Sequence, residues 1–368
     1  MTGAASLRLS GPVLSSGEGT LGAGAPLWVH EGQFTDSDPG AGSSEIHGYV
    51  LPGLVDMHCH IGLGPEGAVE HETALEQGRA DAHAGTLLVR DAGSPADTRW
   101  LQGRTDVPRI IRAGQHLARP KRYIRHYARE LDDAADLPEA MATEARRGDG
   151  WVKLVGDWID RAAGADSVLG PLWPEDVLRA GIQAAHEAGA RVTVHTFDTR
   201  TVGQMLAAGV DCIEHGTGMT QEHMAEAAAR GVPVVPTLLQ VGTFDRIAEQ
   251  GRAKYPRYAE QMHAMYAGRN AQVRAMFDAG VQLLIGTDAG GNIGHGRLPE
   301  EAAALVQAGI PAPDVVAAAS WRAREFLGAP GLEAGAPADA VVYPEDPRQD
   351  ITVLARPRAV IHAGARLR

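Results

Sequence analysis

Short apolar runs recur along the middle of the chain, and many of them end in polar or charged residues. Eight runs have the length and the Val, Ile and Leu content of buried β-strands. They are residues 53–58, 86–91, 109–113, 151–155, 191–195, 210–215, 232–236 and 281–286. Amphipathic segments separate several runs, and one of them begins at Pro174 and ends at Gly189, as a capped helix would. Eight such units predict a (β/α)8 barrel of the TIM type rather than an open doubly wound sheet.

The two ends of the chain differ from the middle. Residues 1–50 are rich in Gly, Ser and Thr with short apolar pieces such as residues 25–29, and residues 338–343 and 358–362 have the same character. These features are typical of small β-strands joined by turns. We therefore expect an α/β protein with two units. Residues 1–51 and 332–368 would form a small β-sandwich, and residues 52–331 would form the barrel.

Composition narrows the functional classes. The 368 residues carry a net charge of −12, and 44% of them are hydrophobic, which is ordinary for a globular enzyme and leaves no basic excess for nucleic acid. The two cysteines, Cys59 and Cys212, are too few for a disulfide framework. Neither a secretory pattern nor an apolar run of about 18 residues is present, so we expect a cytoplasmic protein that binds no membrane.

Residues that commonly bind metal ions follow four of the predicted strands. They are His58, His60, His195, His215 and Asp288. Active sites of such barrels lie where the strands end, so these side chains should meet at one mouth. Because side chains alternate along a strand, His58 and His60 share a face and can bind one divalent ion, while Cys59 points away. Burying such groups without a cation would be destabilising by several kcal/mol, so the pattern predicts a metal site.

The order of these residues, together with Lys153 in the fourth predicted strand, resembles the amidohydrolase superfamily. The strings that carry the resemblance are Gly53-Leu54-Val55-Asp56-Met57-His58-Cys59-His60, Ile213-Glu214-His215-Gly216 and Gly286-Thr287-Asp288-Ala289-Gly290. Within the superfamily, the chain is similar to the branch of imidazolonepropionase-like and Xaa-Pro dipeptidase (prolidase)-like enzymes. The similarity covers nearly the whole chain, including residues 86–91 and 338–342.

The resemblance implies a centre of two divalent metal ions, expected to be zinc. The implied ligands are His58, His60, Lys153, His195, His215 and Asp288. Lys153 would bridge the two ions as a carbamate formed from CO2. A single ion is the alternative, with His215 turned towards the substrate. Asp288, Lys153 and His215 are the implied catalytic residues, because a metal-activated hydroxide would attack a carbonyl and Asp288 would pass the proton to the leaving amine.

The expected reaction is hydrolysis of an amide or cyclic amide C–N bond in a small molecule. Three other reactions remain as alternatives: deamination of a small heterocycle at a mononuclear site, hydrolysis of a lactone or phosphotriester, and a non-hydrolytic metal-dependent lyase reaction. Homo-oligomer formation is left open.

Two segments are candidates for shaping the mouth. The basic loop at residues 119–129 could orient an anionic substrate group, or it could form a solvated helix face. The long connection at residues 242–280 predicts two helices that pack over the mouth. The candidate substrate-binding residues are His116, Arg122, Tyr123, Phe197 and His295. Prolidase-like relatives often follow the corresponding histidine with Ala-Tyr or Ala-His, whereas this chain has Thr196-Phe197, so an aromatic hydroxyl that could bind a peptide carboxylate is absent at Phe197.

Overall fold

The computed structural model describes residues 6–16, 19–21, 26–40 and 42–368. Parts of the predicted N-terminal unit, including Ala25 of the apolar piece at residues 25–29, lie outside the described residues. The first strands are β1 (Leu7–Ser10), β2 (Val13–Ser16), β3 (Gly19–Leu21), β4 (Leu27–His30), β5 (Gln33–Thr35), β6 (Ser44–His47) and β7 (Tyr49–Pro52). The central strands are β8 (Leu54–Cys59), β9 (Leu63–Gly64), β10 (Gly67–Ala68), β11 (Thr86–Asp91), β12 (Arg109–Arg112), β13 (Leu117–Ala118), β14 (Arg129–Glu130), β15 (Trp151–Val155), β16 (Asp157–Ile159), β17 (Leu169–Pro171), β18 (Arg191–Thr196), β19 (Cys212–His215) and β20 (Val234–Val235). The last are β21 (Ala340–Tyr343), β22 (Ala359–His362) and β23 (Ala365–Arg366).

The strands near the two ends of the chain form two sheets. One has the order β5-β4-β1-β6, and the other has the order β23-β22-β21-β7-β2-β3. In the second sheet β21 pairs antiparallel with β7, so it joins the first and last parts of the chain. Leu9, Val50, Val342 and Ile361 belong to one apolar cluster that both sheets share. The predicted strands at both ends are therefore present.

The central strands that carry the predicted site are parallel. They form a three-stranded sheet, β12-β11-β8, and a six-stranded sheet, β14-β13-β15-β18-β19-β20. Strands β11 and β15 are buried along their whole length, as expected of parallel strands covered on both faces. Seven of the eight predicted runs overlap strands of these two sheets, namely β8, β11, β12, β15, β18, β19 and β20. The seventh run, residues 232–236, forms only the short strand Val234–Val235.

The eighth predicted strand, at residues 281–286, is not a regular strand. Leu283 makes one parallel bridge with Val234, and the backbone N–H of Met57 donates to the carbonyl of Ile285 at 2.8 Å. The segment therefore hydrogen-bonds to β20 on one side and to β8 on the other, but neither ladder is continuous. It ends at Gly286, where a Cβ would lie 2.6 Å from the backbone nitrogen of His58. Such close approach to β8 requires glycine, and it shortens the regular pairing.

Helices follow most of the parallel strands. They are α1 (His71–His83), α2 (Leu137–Arg147), α3 (Glu175–Glu187), α4 (Thr199–Ala208), α5 (Gln221–Arg230), α6 (Leu238–Val241), α7 (Phe244–Gly251), α8 (Pro256–Asp278), α9 (Leu298–Gln307), α10 (Ala312–Ala319) and α11 (Trp321–Leu327). The predicted helix between Pro174 and Gly189 is confirmed as α3, and the two predicted helices at residues 242–280 are confirmed as α7 and α8. Across the described ranges, none of the helices has both the length and the apolar character needed to cross a membrane.

Asp339, just before β21, links β12 to the end sheets. Its carboxylate accepts hydrogen bonds from Arg109 Nε at 2.7 Å and from the backbone N–H of Ala363 at 2.8 Å, and His362 Nδ1 lies 2.8 Å away. Burial alone would raise the pKa of Asp339, but the hydrogen bonds of His362 and Arg109 hold that pKa well below its usual range. The ionised carboxylate therefore stabilises the folded state.

We expect Asp339→Asn to lower the free energy of unfolding by about 2–3 kcal/mol, because Arg109 loses its buried counter-charge and the hydrogen bond with His362 is weakened. Urea denaturation followed by circular dichroism measures this. The matched control is Asp97→Asn, which removes an exposed ion pair with Arg99 and should change the free energy by less than about 0.5 kcal/mol. Equal effects of the two substitutions would contradict the prediction.

Candidate functional site

The six predicted metal ligands lie on or just after the parallel strands. They are His58 in β8, His60 directly after β8, Lys153 in β15, His195 in β18, His215 at the end of β19, and Asp288 after the extended segment at residues 281–286. Five of them are buried, whereas the side chain of Asp288 is 17% exposed. The structure therefore brings the strand ends together, as the barrel-mouth argument expects.

Three ligand atoms of this set converge on one point. The Nε2 atoms of His58 and His60 lie 3.2 Å apart, and each lies 3.1 Å from Oδ1 of Asp288. In a tetrahedral site with metal–ligand bonds of about 2.0–2.1 Å, neighbouring ligand atoms are about 3.3 Å apart. The spacing of the three atoms is therefore the spacing that a divalent ion requires.

A second pair of imidazoles lies next to this group. Nδ1 of His195 and Nε2 of His215 are 3.0 Å apart, and the ring centroids of His215 and His58 are 5.1 Å apart. Ligand atoms of His58, His215 and Asp288 also lie within 4.8 Å of one another. Nε2 of His195 is buried and has no hydrogen-bond partner among the described residues. The two groups therefore meet at Asp288, and together they offer more ligand atoms than one ion needs.

The charge states of these residues suit metal binding. Burial lowers the pKa of His58 and of His195 well below the usual range, and it lowers the pKa of His215 to about 3. Burial alone would raise the pKa of Asp288, but His58 and the other nearby imidazoles lower it well below the usual range. Neutral imidazoles and an ionised carboxylate are the forms that bind metal ions.

The backbone is strained at two of the ligands. His215 has φ 66° and Asp288 has φ 57°, in the left-handed region that residues other than glycine rarely adopt. The backbone N–H of Gly216 donates to the carbonyl of Glu214 at 2.8 Å, so the chain turns sharply around His215. Strain of this kind is concentrated at functional sites.

Glu214 is a site residue that the sequence analysis does not single out. Its carboxylate contacts Nζ of Lys153, accepts a hydrogen bond from Thr193 Oγ1 at 2.7 Å, and lies 3.7 Å from Nδ1 of His58 and 3.5 Å from Arg90. All of these side chains are buried. Glu214 is therefore placed to hold Lys153, and it sets a buried carboxylate beside Nδ1 of His58, which has no hydrogen-bond partner among the described residues.

The alternation of side chains along a strand explains why the sequence does not predict Glu214 as a site residue. Successive side chains of a strand point to opposite faces, so a glutamate directly before His215 would be expected to face away from the site. The left-handed backbone at His215 breaks that alternation, and both side chains reach the ligand cluster. The available signal was an acidic residue between the buried Ile213 and the predicted ligand His215.

A second buried carboxylate holds two ligand-bearing segments together. Oδ1 of Asp56 accepts from the backbone N–H of His58 at 3.0 Å and from that of Thr287 at 3.1 Å, and its Oδ2 accepts from Thr287 Oγ1 at 2.6 Å. Asp56 thus fixes β8 against the residue before Asp288. Burial raises the pKa of Asp56 to about 7, and the hydrogen bonds from Thr287 and His58 oppose this rise.

A cavity of about 350 Å³ lies over the ligands and includes Asp288, His60 and His195 in its wall. Helices α7 and α8 supply part of this wall, and we call them the roof. The roof residues in the wall are Phe244, Ile247, Gln250, Gly251, Tyr258 and Met262, and Tyr255, between the two helices, also lines the cavity. Two helices thus cover the mouth, and they enclose a volume suited to a small molecule.

The predicted substrate-binding residues divide into two groups. Tyr123 and Phe197 line the cavity. Arg122 instead donates to the carbonyl of Trp158 at 3.2 Å, and His116 stacks against His60 with ring centroids 5.0 Å apart. Neither of these two is among the residues of the cavity wall.

His295 lies away from the cavity wall and points to the other side of β8. Its Nδ1 is 2.8 Å from Oδ2 of Asp81 in α1, and it lies 3.9 Å from Sγ of Cys59. Because Cys59 faces away from the ligands, this contact places His295 in a structural pair that fixes the loop after Asp288 to α1.

Comparisons with known proteins identify the family of this chain. The amidohydrolase family model matches residues 49–364. The chain is 49% identical over 340 residues to Rv2915c, an uncharacterized protein of Mycobacterium tuberculosis (strain ATCC 25618 / H37Rv), covering 92% of this chain and 90% of that protein.

Two solved structures share the fold. One is a Xaa-Pro dipeptidase with methionine bound in its active site, with a TM-score of 0.82, 21% identity, and coverage of 98% of this chain and 99% of that chain. The other is a prolidase in complex with N-methylphosphonate-L-proline, with a TM-score of 0.78, 22% identity, and coverage of 99% of both chains. The resemblance that the sequence motifs carry is thus confirmed, and the chain belongs to the amidohydrolase family.

Proposed function

We propose that this protein is a metal-dependent hydrolase that cleaves an amide or cyclic amide C–N bond of a small molecule. The convergence of His58 Nε2, His60 Nε2 and Asp288 Oδ1, 3.1–3.2 Å apart at the floor of a cavity, carries the proposal. Membership of the amidohydrolase family supports it. So does the likeness to proteins described as a dipeptidase and a prolidase.

The ligand types fit zinc, which prefers imidazole and carboxylate donors at tetrahedral spacing. His58, His60 and Asp288 would hold one ion, and His195 and His215 would hold a second. When bound, such ions polarise a substrate carbonyl and lower the pKa of a water molecule to about 7. A single ion held without Lys153 is the alternative.

Asp288 is the proposed general acid and base. Its Oδ1 lies against the imidazoles of His58 and His60, so Oδ2 is the oxygen available to accept a proton from the attacking water. The same oxygen then delivers the proton to the leaving amine nitrogen. Phe244 and Tyr258 of the roof line the cavity and place apolar surface beside this transfer.

Lys153 is the proposed site of a carbamate. Burial lowers the pKa of Lys153 to about 7, although Asp288 opposes the shift, so a large fraction of its Nζ is uncharged at neutral pH. A neutral amine adds to CO2 and releases one proton, which gives an anionic carbamate. That anion would bridge two cations which otherwise repel each other. In its absence, Glu214 is the partner that the structure shows for Nζ.

We also propose that the parallel strands close into a barrel of residues 52–331, with a sandwich of residues 1–51 and 332–368 beside it. Support comes from the segment at residues 281–286, which hydrogen-bonds to both β8 and β20. The chain also runs from β12, which pairs with β11, directly into β13, which pairs with β15. The substrate would be a small molecule, and homo-oligomer formation stays open.

We expect zinc-reconstituted protein to contain two zinc ions per chain, and Lys153→Ala to contain one and to lose activity. Elemental analysis together with a hydrolysis assay measures both. Lys254→Ala, which removes an exposed lysine, is the control and should keep two ions. One ion per chain in the unmodified protein, with activity surviving Lys153→Ala, would contradict the carbamate and favour the single-ion alternative.

The reaction class is tested with metal-loaded protein against N-acyl amino acids, dipeptides, imidazolones and heterocyclic amines, scored by the bond that breaks. We expect release of a free amine together with a carboxylic acid. Release of ammonia from a heterocycle without loss of an acyl group would instead show a deaminase. Turnover of lactones or phosphotriesters alone would overturn the proposal.

A further inference from the structure

Thr237 is a buried residue that contacts the predicted ligand His215 but is not itself one of the predicted ligands. It lies between β20 and α6, and its Oγ1 is 2.7 Å from Nδ1 of His215. The other ring nitrogen of His215, Nε2, lies 3.0 Å from Nδ1 of His195. Nε2 is therefore the nitrogen that lies beside the second predicted imidazole ligand, and Nδ1 is the nitrogen that Thr237 engages.

The backbone of Thr237 is strained. It has φ 48° and ψ 57°, in the left-handed region, where a β-branched residue is a clear outlier. Glycine adopts this conformation without a steric cost, but it has no hydroxyl to offer His215. Strain of this kind persists only where the surrounding structure enforces it. Thr237 therefore needs neighbours that hold its backbone in place.

A buried carboxylate holds the backbone directly after Thr237. Oε1 of Glu301 accepts a hydrogen bond from the backbone N–H of Leu238 at 2.6 Å, and Oε2 accepts one from that of Leu239 at 2.8 Å. These are the first two N–H groups of α6, which no carbonyl within that helix can satisfy. Glu301 is fully buried, and it therefore fixes the turn between β20 and α6 in which Thr237 lies.

The two hydrogen bonds need both oxygens of Glu301 as acceptors, which is the arrangement of the ionised carboxylate. Burial raises the pKa of Glu301 to about 8, although the hydrogen bonds from Leu239 and Leu238 oppose the rise. Glu301 belongs to α9, the first helix after Asp288. The contacts from Glu301 through Thr237 to His215 therefore connect the helix that follows one predicted ligand to the side chain of another.

We propose that Glu301 is a positioning residue for His215 and that it acts through Thr237. By holding the turn, Glu301 keeps Oγ1 of Thr237 against Nδ1 of His215. Oγ1 then accepts the hydrogen of Nδ1–H, and the lone pair of Nε2 is left free for a metal ion. This inference rests on the proposed function. Its effect is confined to the ion that His195 and His215 would hold.

Zinc titration of the full chain with a competing chelator tests this link at about pH 9, above the pKa of Glu301. Thr237→Val keeps the side-chain shape but removes the hydroxyl, so it should weaken one of the two zinc-binding steps about tenfold and leave the other unchanged. Glu301→Gln should weaken the same step about tenfold, because an amide offers one acceptor oxygen to two N–H groups. Thr237→Ser keeps the hydroxyl and should stay within about threefold of the unmodified protein.

A double variant separates a link from two independent effects. If Glu301 acts through Thr237, Glu301→Gln combined with Thr237→Val should weaken the step about tenfold and not about a hundredfold. Glu300→Gln is the matched control, because Glu300 lies in the same turn of α9 but is exposed and pairs with Arg297, so it should change the affinity less than about twofold. Unchanged affinity in Thr237→Val, equal weakening of both steps in Glu301→Gln, or a hundredfold loss in the double variant would each overturn the proposal.

The tautomer of His215 gives a measurement that needs neither bound metal nor turnover. In the metal-free full chain labelled with 15N-histidine, nuclear magnetic resonance should show the ring hydrogen of His215 on Nδ1 in the unmodified protein and in Thr237→Ser. Thr237→Val should give a mixture of both tautomers, because valine has no acceptor for Nδ1–H. A hydrogen on Nε2 in the unmodified protein would overturn the inference.

Failure of this inference and failure of the proposed function are distinguishable. The expected tautomers and zinc affinities, found without cleavage of any amide, would contradict the hydrolase alone. Cleavage of amides, with the tautomer of His215 and the zinc affinity both unaffected by Thr237→Val, would contradict the positioning role alone.

Discussion

Replacing Asp288 with asparagine is expected to reduce hydrolysis by a factor of about 10³ or more, while most of the bound metal remains. The amide of asparagine cannot take a proton from water or return it to the leaving amine. Its carbonyl oxygen can still occupy the position of Oδ1, 3.1 Å from the imidazoles of His58 and His60. Asparagine also tolerates φ 57° well, so the backbone should not change.

The measurement is kcat/KM for each variant together with its metal content. Asp81→Asn serves as the control, because Asp81 is a buried aspartate on the other side of β8 and pairs with His295. It should lower the melting temperature and keep the turnover number per bound metal. An Asp288→Asn protein with full activity would refute the role of Asp288 as general acid and base.

Glu214→Gln is the second substitution with a large expected effect. The neutral amide leaves the buried charge of Arg90 without its counter-charge and weakens the hydrogen bond from Lys153 Nζ, which should lower the free energy of unfolding by about 3–5 kcal/mol. It also removes the carboxylate charge that lies 3.7 Å from Nδ1 of His58, so metal affinity should fall about tenfold. Metal titration with a competing chelator and thermal unfolding measure the two effects separately.

The matched control is Glu144→Gln. Glu144 is also fully buried, and it accepts hydrogen bonds from the backbone N–H of Gln115 at 3.0 Å and from Arg129 at 3.3 Å, outside the metal-ligand cluster. This substitution should destabilise the fold but leave the metal affinity unchanged. Equal losses of metal affinity in the two variants would show that Glu214 acts through general stability and not through His58 and Lys153.

Periodicity alone predicted most of the elements that position the site. Strands β8 and β15 are mostly apolar, and β18 alternates Val192 and Val194 with polar residues, so their ends and the polar residues there can be read from the sequence. The segment at residues 281–286 has the same composition. It differs because the close approach of Gly286 to His58 depends on tertiary contacts, which no local pattern records.

The sequence could not predict the directions in which loop side chains point. Arg122, His295 and Arg161 are all polar residues in connecting segments, and residue type does not show which of them faces the cavity. The structure places Arg161 on the wall, whereas Arg122 binds backbone carbonyls and His295 binds Asp81. Glu214 was hidden for a related reason, because the turn at His215 is a backbone property that alternation rules do not contain.

The roof has a consequence for how this protein could diversify. Helices α7 and α8 come from one uninterrupted stretch of chain, and neither contributes a ligand atom to the metal-binding cluster. Exchanging that single stretch would change which substrates bind in the cavity without replacing any of the predicted metal ligands. A library confined to Phe244–Gly251 and Pro256–Asp278 should therefore yield new selectivities at little risk to the underlying chemistry.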